Sequence, residues 1–442
     1  MKKFTLKSYT RTLTCLTAML SLAMATNVSA QQFRVLEDIT DSDGNGYKIW
    51  GQSISPNHKY VAGLATSKTD GKTGCFVYDL ETGESAVLPG PGDLGGDIRG
   101  VNDNGVAAGC NPNALLLSID GTKTDLETPE NYESAAWDLD DTGNTAVGSY
   151  WSIIDYTEHA CIWKDGKMVK LPEPTSEEMG FNVWGTSANY CSGDASVIVG
   201  YITDDLVTRP FIMWTLQDDG TYKLNTTICK EYFGKYTDDM SKPYVMFYPS
   251  NVSRNGRYVS LTVARDGSEC RMARYDITTG EIEEYVADGS GTITAGMGSE
   301  SLAAANDGTI AGNLMSSNQL VPYGRCACLW LPSAAEPVQL SSAYSEYQEL
   351  AVYDEIGYNR LYDITPDGKM GLGLAYDEMY DYATYVIDLE NITSSIDKVQ
   401  AGEQDDSETE RYTIDGTKIS APVKGLNIVK KADGTVVKVM VK

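Results

Sequence analysis

The sequence predicts an all-β protein, a seven-bladed β-propeller of four-stranded antiparallel blades followed by a small C-terminal β unit. Three observations predict it. A short glycine turn leading into a small-apolar strand recurs seven times, each copy is followed by a second strand ending in Trp, Tyr or Asp, and the copies return at blade-like intervals of roughly 40 to 60 residues. The turn copies read SPNHKYVAG (residues 55–63), NDNGVAAG (102–109), DDTGNTAVG (140–148), SGDASVIVG (192–200), SRNGRYVS (253–260), NDGTIAG (306–312) and TPDGKMGLG (365–373). Their partner strands begin near Cys75, Ala114, Ala160, Pro210, Met272, Ala327 and Thr384. A blade buries its faces only against its neighbours, so the copies must close into a ring.

The elements follow in chain order. Residues 1–30 carry Lys2, Lys3, Lys7 and Arg11, then an apolar stretch from Leu13 to Ala25 and a small-residue cleavage site at Val28-Ser29-Ala30, the pattern of a secretory signal peptide. The expected mature chain begins at Gln31. Nothing after it is apolar for long enough to cross a bilayer. The propeller is expected over residues 31–393. Copy three parses best, as SAAWDLD, NTAVGSY, HACIWKD and KMVKLPE, with Asp/Asn/Gly turns between first and second and between third and fourth strands. The last copy lacks an obvious fourth strand, and FRVLEDI (residues 33–39) resembles the missing one. It is predicted to close the ring by pairing with the last blade, which removes an exposed edge. Residues 394–410 are polar and acidic and read as a linker. Residues 411–442 alternate apolar positions with DG turns and read as a small β unit.

Two resemblances add to this. YTIDGTKIS, the KGLNIVK core and the VVKVMVK ending make the last 32 or so residues resemble the C-terminal sorting domain of the type IX (Por) secretion system of Bacteroidetes. That implies a bacterial protein secreted or held at the outer cell surface, whose partner through this tail is the type IX secretion machinery. DLGGDIRGVNDNGVAAG (93–109) and HACIWKDGKMVKL (159–171) resemble the extracellular HAF-repeat proteins, with Cys161 where the family has Phe. This resemblance implies the fold and transfers no chemistry residue by residue.

Without the four signal cations, 31 of the 35 Lys+Arg remain against 62 Asp+Glu, a net charge of −31. Nucleic acid and anionic membranes are therefore poor partners, since both require a cationic face. Eight of the nine cysteines follow the signal. Cys75, Cys161, Cys270 and Cys326 fall near the start of third strands in different blades, too far apart for bridges, so most cysteines read as core thiols.

Catalytic constellations are sparse. The mature chain has two histidines, His58 in a tight turn and His159 at the opening of a third strand, and both read as structural. The segment DSDGNGY offers Asp41, Asp43 and Asn45 with alternating spacing and Gly46 for a sharp turn, half of a calcium loop. Gln52 stands where the acidic ligand belongs, so a plain turn is the favoured reading; no cofactor is expected, with calcium at this loop as the alternative.

Loop length points to binding. In an antiparallel meander the second-to-third and blade-to-blade loops share one face, and here they hold the long, Tyr- and acid-rich segments 149–158, 201–209, 230–249, 344–360 and 376–385. Aromatics beside carboxylates suit sugar rings, and also protein partners. The candidate contacts are Tyr150, Trp151, Tyr156, Asp204, Asp205, Tyr236, Tyr380, Asp381 and Tyr382. Trp50, Trp137, Trp184, Trp163, Trp214 and Trp330 read as blade packing, and Trp151 as the one Trp in a long loop. The expected function is a glycan- or protein-binding module. Its rivals are a glycoside hydrolase or lyase working through paired carboxylates on the same face, and an architectural ring with no ligand.

Overall fold

The computed structural model describes residues 32–90, 95–204, 210–229, 246–265, 269–285, 298–316, 324–390 and 392, and in the tail 408–413, 418–419, 421, 424–431 and 436–441. The chain divides into two compact units, Met1–Glu390 and Asn391–Lys442. The first is a seven-bladed propeller. Its first strands are Gly46–Ile54, Asp97–Val101, Tyr132–Leu139, Val183–Cys191, Met246–Val252, Ser299–Ala304 and Asn359–Ile364, each followed outward by three antiparallel partners. Blade 1 carries an additional short strand, Ile39–Thr40, against its first. The second unit is a four-stranded antiparallel sheet built from Glu408–Thr413, Lys418–Ile419, Gly425–Lys431 and Val436–Val441. No described helix is long and apolar enough to cross a membrane.

The ring closes as the sequence predicts, because Phe33–Val35 supplies the outer strand of blade 7 and pairs Phe33 with Ile387 and Val35 with Tyr385. Phe33 is buried between Tyr347 and Tyr385, at centroid distances of 5.0 and 5.3 Å. The seam to blade 1 is tied by Thr384, whose Oγ1 accepts from Gly51 N and donates to Ile49 O, both at 3.0 Å. The cores lie between blades. Tyr60, Ala62, Cys75 and Val77 of blade 1, for example, pack on Ile98, Val101, Ala107, Leu115 and Leu117 of blade 2. None of the eight cysteines among the described residues forms a disulfide.

The residue that opens six of the seven turn copies has a mechanical role. Ser55, Asn102, Asp140, Ser192, Ser253 and Thr365 each accept the backbone N–H that restarts the second strand, at 2.8 to 3.2 Å. Neighbouring turns then bond to one another. Asn57 N donates to Asp103 Oδ1 (2.7 Å), Asp141 N to Gly193 O (2.8 Å), Gly193 N to Arg254 O (2.7 Å), Asn255 N to Asn306 Oδ1 (2.9 Å), and Asn306 N to Pro366 O (2.8 Å). His58 Nε2 meets Asp367 Oδ1 at 3.0 Å and joins blade 7 back to blade 1.

Every first strand carries a β-bulge, with Gln52, Arg99, Trp137, Asn189, Ser250, Leu302 and Tyr362 as the extra residues. The bulge explains the glycine that ends most turn copies. A Cβ on Gly63 would lie 2.0 Å from Trp50 O, and one on Gly148 would lie 2.0 Å from Ala135 O, in both cases the carbonyl two residues before the bulge.

Several expectations change. The segments 149–158 and 376–385 are half strand, since Thr145–Ser152 and Glu158–Lys164 leave a five-residue turn, as do Met370–Tyr376 and Tyr382–Asp388. Their Tyr, Trp and Ile content favours extended backbone. Segment 344–360 contains a helix, Gln348–Ile356, which buries Leu350 and Tyr353 and ends at Gly357 in the left-handed region.

Phe33→Ala should lower stability by about 3–5 kcal/mol, as truncating a buried aromatic does, whereas Val35→Ala, at a 39% exposed position, should cost far less. Chemical denaturation of the two variants tests whether this strand closes the ring.

Candidate functional site

The bulges point the first-strand side chains into a central channel with two unlike ends. At the end of the tight turns the channel narrows to a cavity of about 40 Å³ lined by Ser53, Ile54, Pro56, Asp138, Arg254, Asp363 and Pro366, among others. Two residues just after bulges serve as staples across blade seams. Asp363 of blade 7 accepts Ile54 N of blade 1 (2.9 Å) and Ile364 N (2.8 Å), while Asp138 of blade 3 accepts Cys191 N of blade 4 (2.9 Å) and Leu139 N (2.8 Å). Arg254 of blade 5 crosses over to donate to Asp141 Oδ1 (2.6 Å), Leu139 O (3.0 Å) and Cys191 O (3.3 Å). It lies 3.6 Å from Asp138. Burial opposes the charge on Arg254, but the surrounding Asp138 and Asp141 outweigh it and hold the guanidinium charged. Burial pushes Asp138 up despite Arg254, and pushes Asp363 up to about 7 despite its two backbone donors.

Toward the long-loop face the channel widens to a cavity of about 360 Å³ lined by Trp50, Gln52, Asp97, Arg99, Tyr190, Ser250, Asn251, Leu302 and Tyr362, among others. Its charges are paired internally. Arg99 bonds Asp97 (Nε–Oδ2 2.9 Å) and lies over the Trp137 ring at 4.4 Å, and Gln52 Nε2 donates to Asp97 Oδ1 (3.1 Å). Burial opposes the charge on Arg99, but Asp97 and the nearby Tyr190 outweigh it and hold the guanidinium charged. Between blades 6 and 7, Glu300 receives Arg360 Nη2 (2.7 Å) and Arg325 Nε (3.2 Å). Burial works to raise Glu300, and the two arginines overcome it and hold the carboxyl low. By contrast, Trp50 Nε1 and Ser250 Oγ are buried and have no hydrogen-bond partner among the described residues.

An aromatic row leads from the face into this cavity. Tyr358 stacks on Tyr376 (4.4 Å), Tyr376 meets Tyr382 (5.2 Å), Tyr382 meets Trp50 (4.8 Å), and Trp50 meets Tyr362 edge-on (6.5 Å). Lys48 pairs with Asp381 beside it.

The predicted contacts divide accordingly. Tyr380, 73% exposed, and Asp381 lie in the blade 7 turn, and Tyr382, 36% exposed, opens the third strand there and belongs to the aromatic row. Tyr156, 77% exposed, lies on the blade 3 turn, three blade positions away. Tyr150 is a core residue, buried against Tyr132 (5.2 Å) and His159 (5.1 Å), and burial raises its hydroxyl to about 12. Trp151 belongs to strand Thr145–Ser152 and not to a loop; it pairs with Glu133 and Glu158, and its Nε1 donates to Glu133 Oε2 (3.0 Å). Asp204 ends strand Val197–Asp204, and Asp205 and Tyr236 lie outside the described residues.

Asp41, Asp43 and Asn45 form the turn between Ile39–Thr40 and Gly46–Ile54. Asp41 Oδ1 accepts Asp43 N (3.0 Å) and Asn45 N (2.8 Å), and its Oδ2 accepts Asn45 Nδ2 (2.9 Å) and Tyr47 OH (3.1 Å). These donors, Asn45 first, hold the Asp41 carboxyl below its usual range. No group of three or more His, Cys, Asp or Glu among the described residues is arranged to hold a metal ion. His58 and His159 are engaged by Asp367 and by Glu173 (2.9 Å), respectively.

Trp163 and Trp214 are blade packing, each donating Nε1 at 2.7 Å to a carbonyl beyond the preceding blade's last strand (Glu127 O and Pro172 O). Trp50, expected to be packing, is instead a wall of the channel cavity.

No protein-family model and no curated protein sequence matches the chain. Among solved structures it is similar to a puromycin hydrolase, at 11% identity and a TM-score of 0.50, over 86% of this chain and 57% of that one. It is also similar to an oligogalacturonate lyase in complex with manganese (11% identity, TM-score 0.46, 80% and 96% covered). A third is the β-propeller domain of the trilobed protease from Pyrococcus furiosus, which has an open velcro topology (14%, 0.40, 70% and 93%). At these identities the likeness concerns the β-propeller fold alone.

Asp363 gives a pH prediction. Its folded pKa lies above the unfolded value, so the stability it contributes is full below about pH 4 and is lost as pH rises through about 7, by up to roughly 4 kcal/mol. Asp363→Asn should flatten the fall in melting temperature between pH 5 and pH 8. An unchanged slope in the variant contradicts the assignment.

Proposed function

We propose that this chain is an exported binding module of a bacterial cell surface that recognises a glycan at the wide mouth of its channel. The observation that carries the reading is the row Tyr358–Tyr376–Tyr382–Trp50, which runs from the exposed turn at Tyr380 to the cavity wall. Aromatic faces accept the C–H faces of sugar rings, and the polar edges beside them, Gln52, Asp97 and Asn251, suit hydroxyl groups. Export is supported by the signal-like residues 1–30, and surface delivery by the resemblance of residues 411–442 to a type IX sorting domain.

A protein ligand is the second reading, favoured by Ile154, Tyr156 and Trp184, which are 80%, 77% and 60% exposed on the same face. Binding suits the mouth better than hydrolysis or lysis, because its carboxylates Asp97 and Asp381 are already engaged by Arg99 and Gln52, and by Lys48.

A glycan array that also reads product formation tests this. Tyr382→Ala should weaken binding about tenfold, or ~1.4 kcal/mol, with the melting temperature nearly unchanged. Product release abolished by Asp381→Asn contradicts the binding role, and unchanged affinity in Tyr382→Ala removes the aromatic row from the site.

A further inference from the structure

We infer that blades 3 and 4 carry a docking surface of their own, on which a protein segment that combines apolar side chains with Lys or Arg settles over Ile154, Tyr156 and Trp184. This inference rests on the protein reading above and adds to it the charge of the partner. The aromatic row that carries the glycan reading belongs to blades 7 and 1, with the blade 7 turn three blade positions away.

Three observations carry it. First, the backbone is shaped to hold apolar groups outward. Among the described residues only the first strand of blade 4 has a second bulge, between Val183 and Gly185, and its extra residue is the exposed Trp184. The bulge brings Gly185 so close to blade 3 that a Cβ there would lie 2.1 Å from Glu158 O. In the neighbouring hairpin turn Tyr156 adopts φ 59°, a left-handed conformation that a bulky residue resists, yet its ring stays in solvent. Ile153 and Ile154 precede it in the same turn and are also exposed.

Second, the carboxylates of this hairpin have no cation. Trp151 pairs across the sheet with both Glu133 and Glu158, and Asp155 lies in the turn. Glu133 Oε2 accepts Trp151 Nε1 (3.0 Å), Glu158 Oε2 accepts Thr203 Oγ1 (3.1 Å), and Asp155 Oδ1 accepts Thr157 Oγ1 (2.9 Å). No Lys, Arg or His among the described residues pairs with any of the three, and the neighbouring His159 and Lys170 are both taken by Glu173. Like charges gathered at one end of a blade repel one another, and a cation brought by a partner relieves them.

Third, the mixture selects a protein. Ile153 and Ile154 offer a sugar neither a flat face nor a hydrogen bond, and the three carboxylates repel an anionic membrane. A segment with Lys or Arg beside Leu or Phe meets both halves of the surface. Its apolar side chains cover the isoleucines and Tyr156, and its cations reach the carboxylates and the face of Trp184.

Fluorescence anisotropy with the full chain and three labelled synthetic peptides tests this. One peptide alternates Lys and Arg with Leu and Phe, the second replaces its cations by Glu, and the third replaces its apolar residues by Ser. The third controls for the acidity of the chain as a whole. The first peptide is expected to bind at least about tenfold tighter than either of the others. Trp184→Ala and Ile154→Ser should each weaken it about fivefold to tenfold, with the melting temperature unchanged because both side chains are exposed. Glu133→Gln combined with Glu158→Gln should weaken it and flatten its dependence on salt. Met379→Ser, which removes an equally exposed side chain from the blade 7 turn, should change nothing. Equal binding of the first and third peptides, or unchanged affinity in Trp184→Ala and Ile154→Ser, shows attraction to net charge alone and overturns the docking surface. Equal binding of the first and second overturns the cationic partner. No binding of the first peptide overturns the inference while the glycan reading stands, and loss of glycan binding in Trp184→Ala merges the two sites and overturns it as well.

Discussion

Each blade depends on the β-bulge in its first strand. One extra residue there turns the strand sharply and brings the second strand so close that Gly63, Gly148 and their counterparts have no room for a Cβ. The same extra residue shifts the alternation, so that the following position faces the neighbouring blade. In blades 3 and 7 that position is an aspartate, and its carboxylate accepts a backbone N–H of the next first strand. A local irregularity thus provides the hydrogen bonds by which two of the seams are held. The N-terminal strand then completes the ring by giving blade 7 its outer edge.

The two ends of the channel differ because the two sets of connections differ. The first-to-second turns are short, capped by Ser, Asn, Asp or Thr, and bonded from blade to blade, and Arg254 ties three blades together beneath them. The opposite face carries extended hairpins rich in tyrosine and the helix Gln348–Ile356, whose Tyr353 stacks on Tyr385 at 6.0 Å. At the tight-turn end Arg254, Asp138, Asp141 and Asp363 are paired with each other or with backbone. At the wide end Ser250 Oγ and Trp50 Nε1 are buried without a partner among the described residues. A rigid scaffold with a row of tyrosines at its wide end suits recognition, since those rings are held in place before a ligand arrives.

Much of the fold was legible in the sequence because turn chemistry repeats. Only small polar residues can cap the turns, and only glycine fits behind most bulges, so both recur at the blade period. Phe33-Arg34-Val35 could be matched to the missing strand because the last copy visibly lacked one. The site was less legible. A bulge breaks the period-two pattern by one residue, so Trp50, Arg99 and Ser250 could not be assigned to the channel from alternation alone. Trp50 and Trp163 look alike in sequence, yet one walls a cavity and the other is buried on a neighbouring carbonyl. Tyr150 and Trp151 looked like loop contacts because an extended hairpin and a loop share the same residues at their boundary. The helix Gln348–Ile356 escaped notice since its Tyr- and acid-rich segment buries only Leu350 and Tyr353.

Amide hydrogen exchange along the first strands measures the asymmetry of the channel most directly. The amides of Ile54, Cys191 and Asp141 should exchange only through global unfolding, since they bond across blade seams, while those of Ile153 and Asp377 on the wide face should exchange through local opening. Exchange of Ile54 and Cys191 as fast as that of the wide-face amides contradicts seams held by the Asp363 and Asp138 bonds.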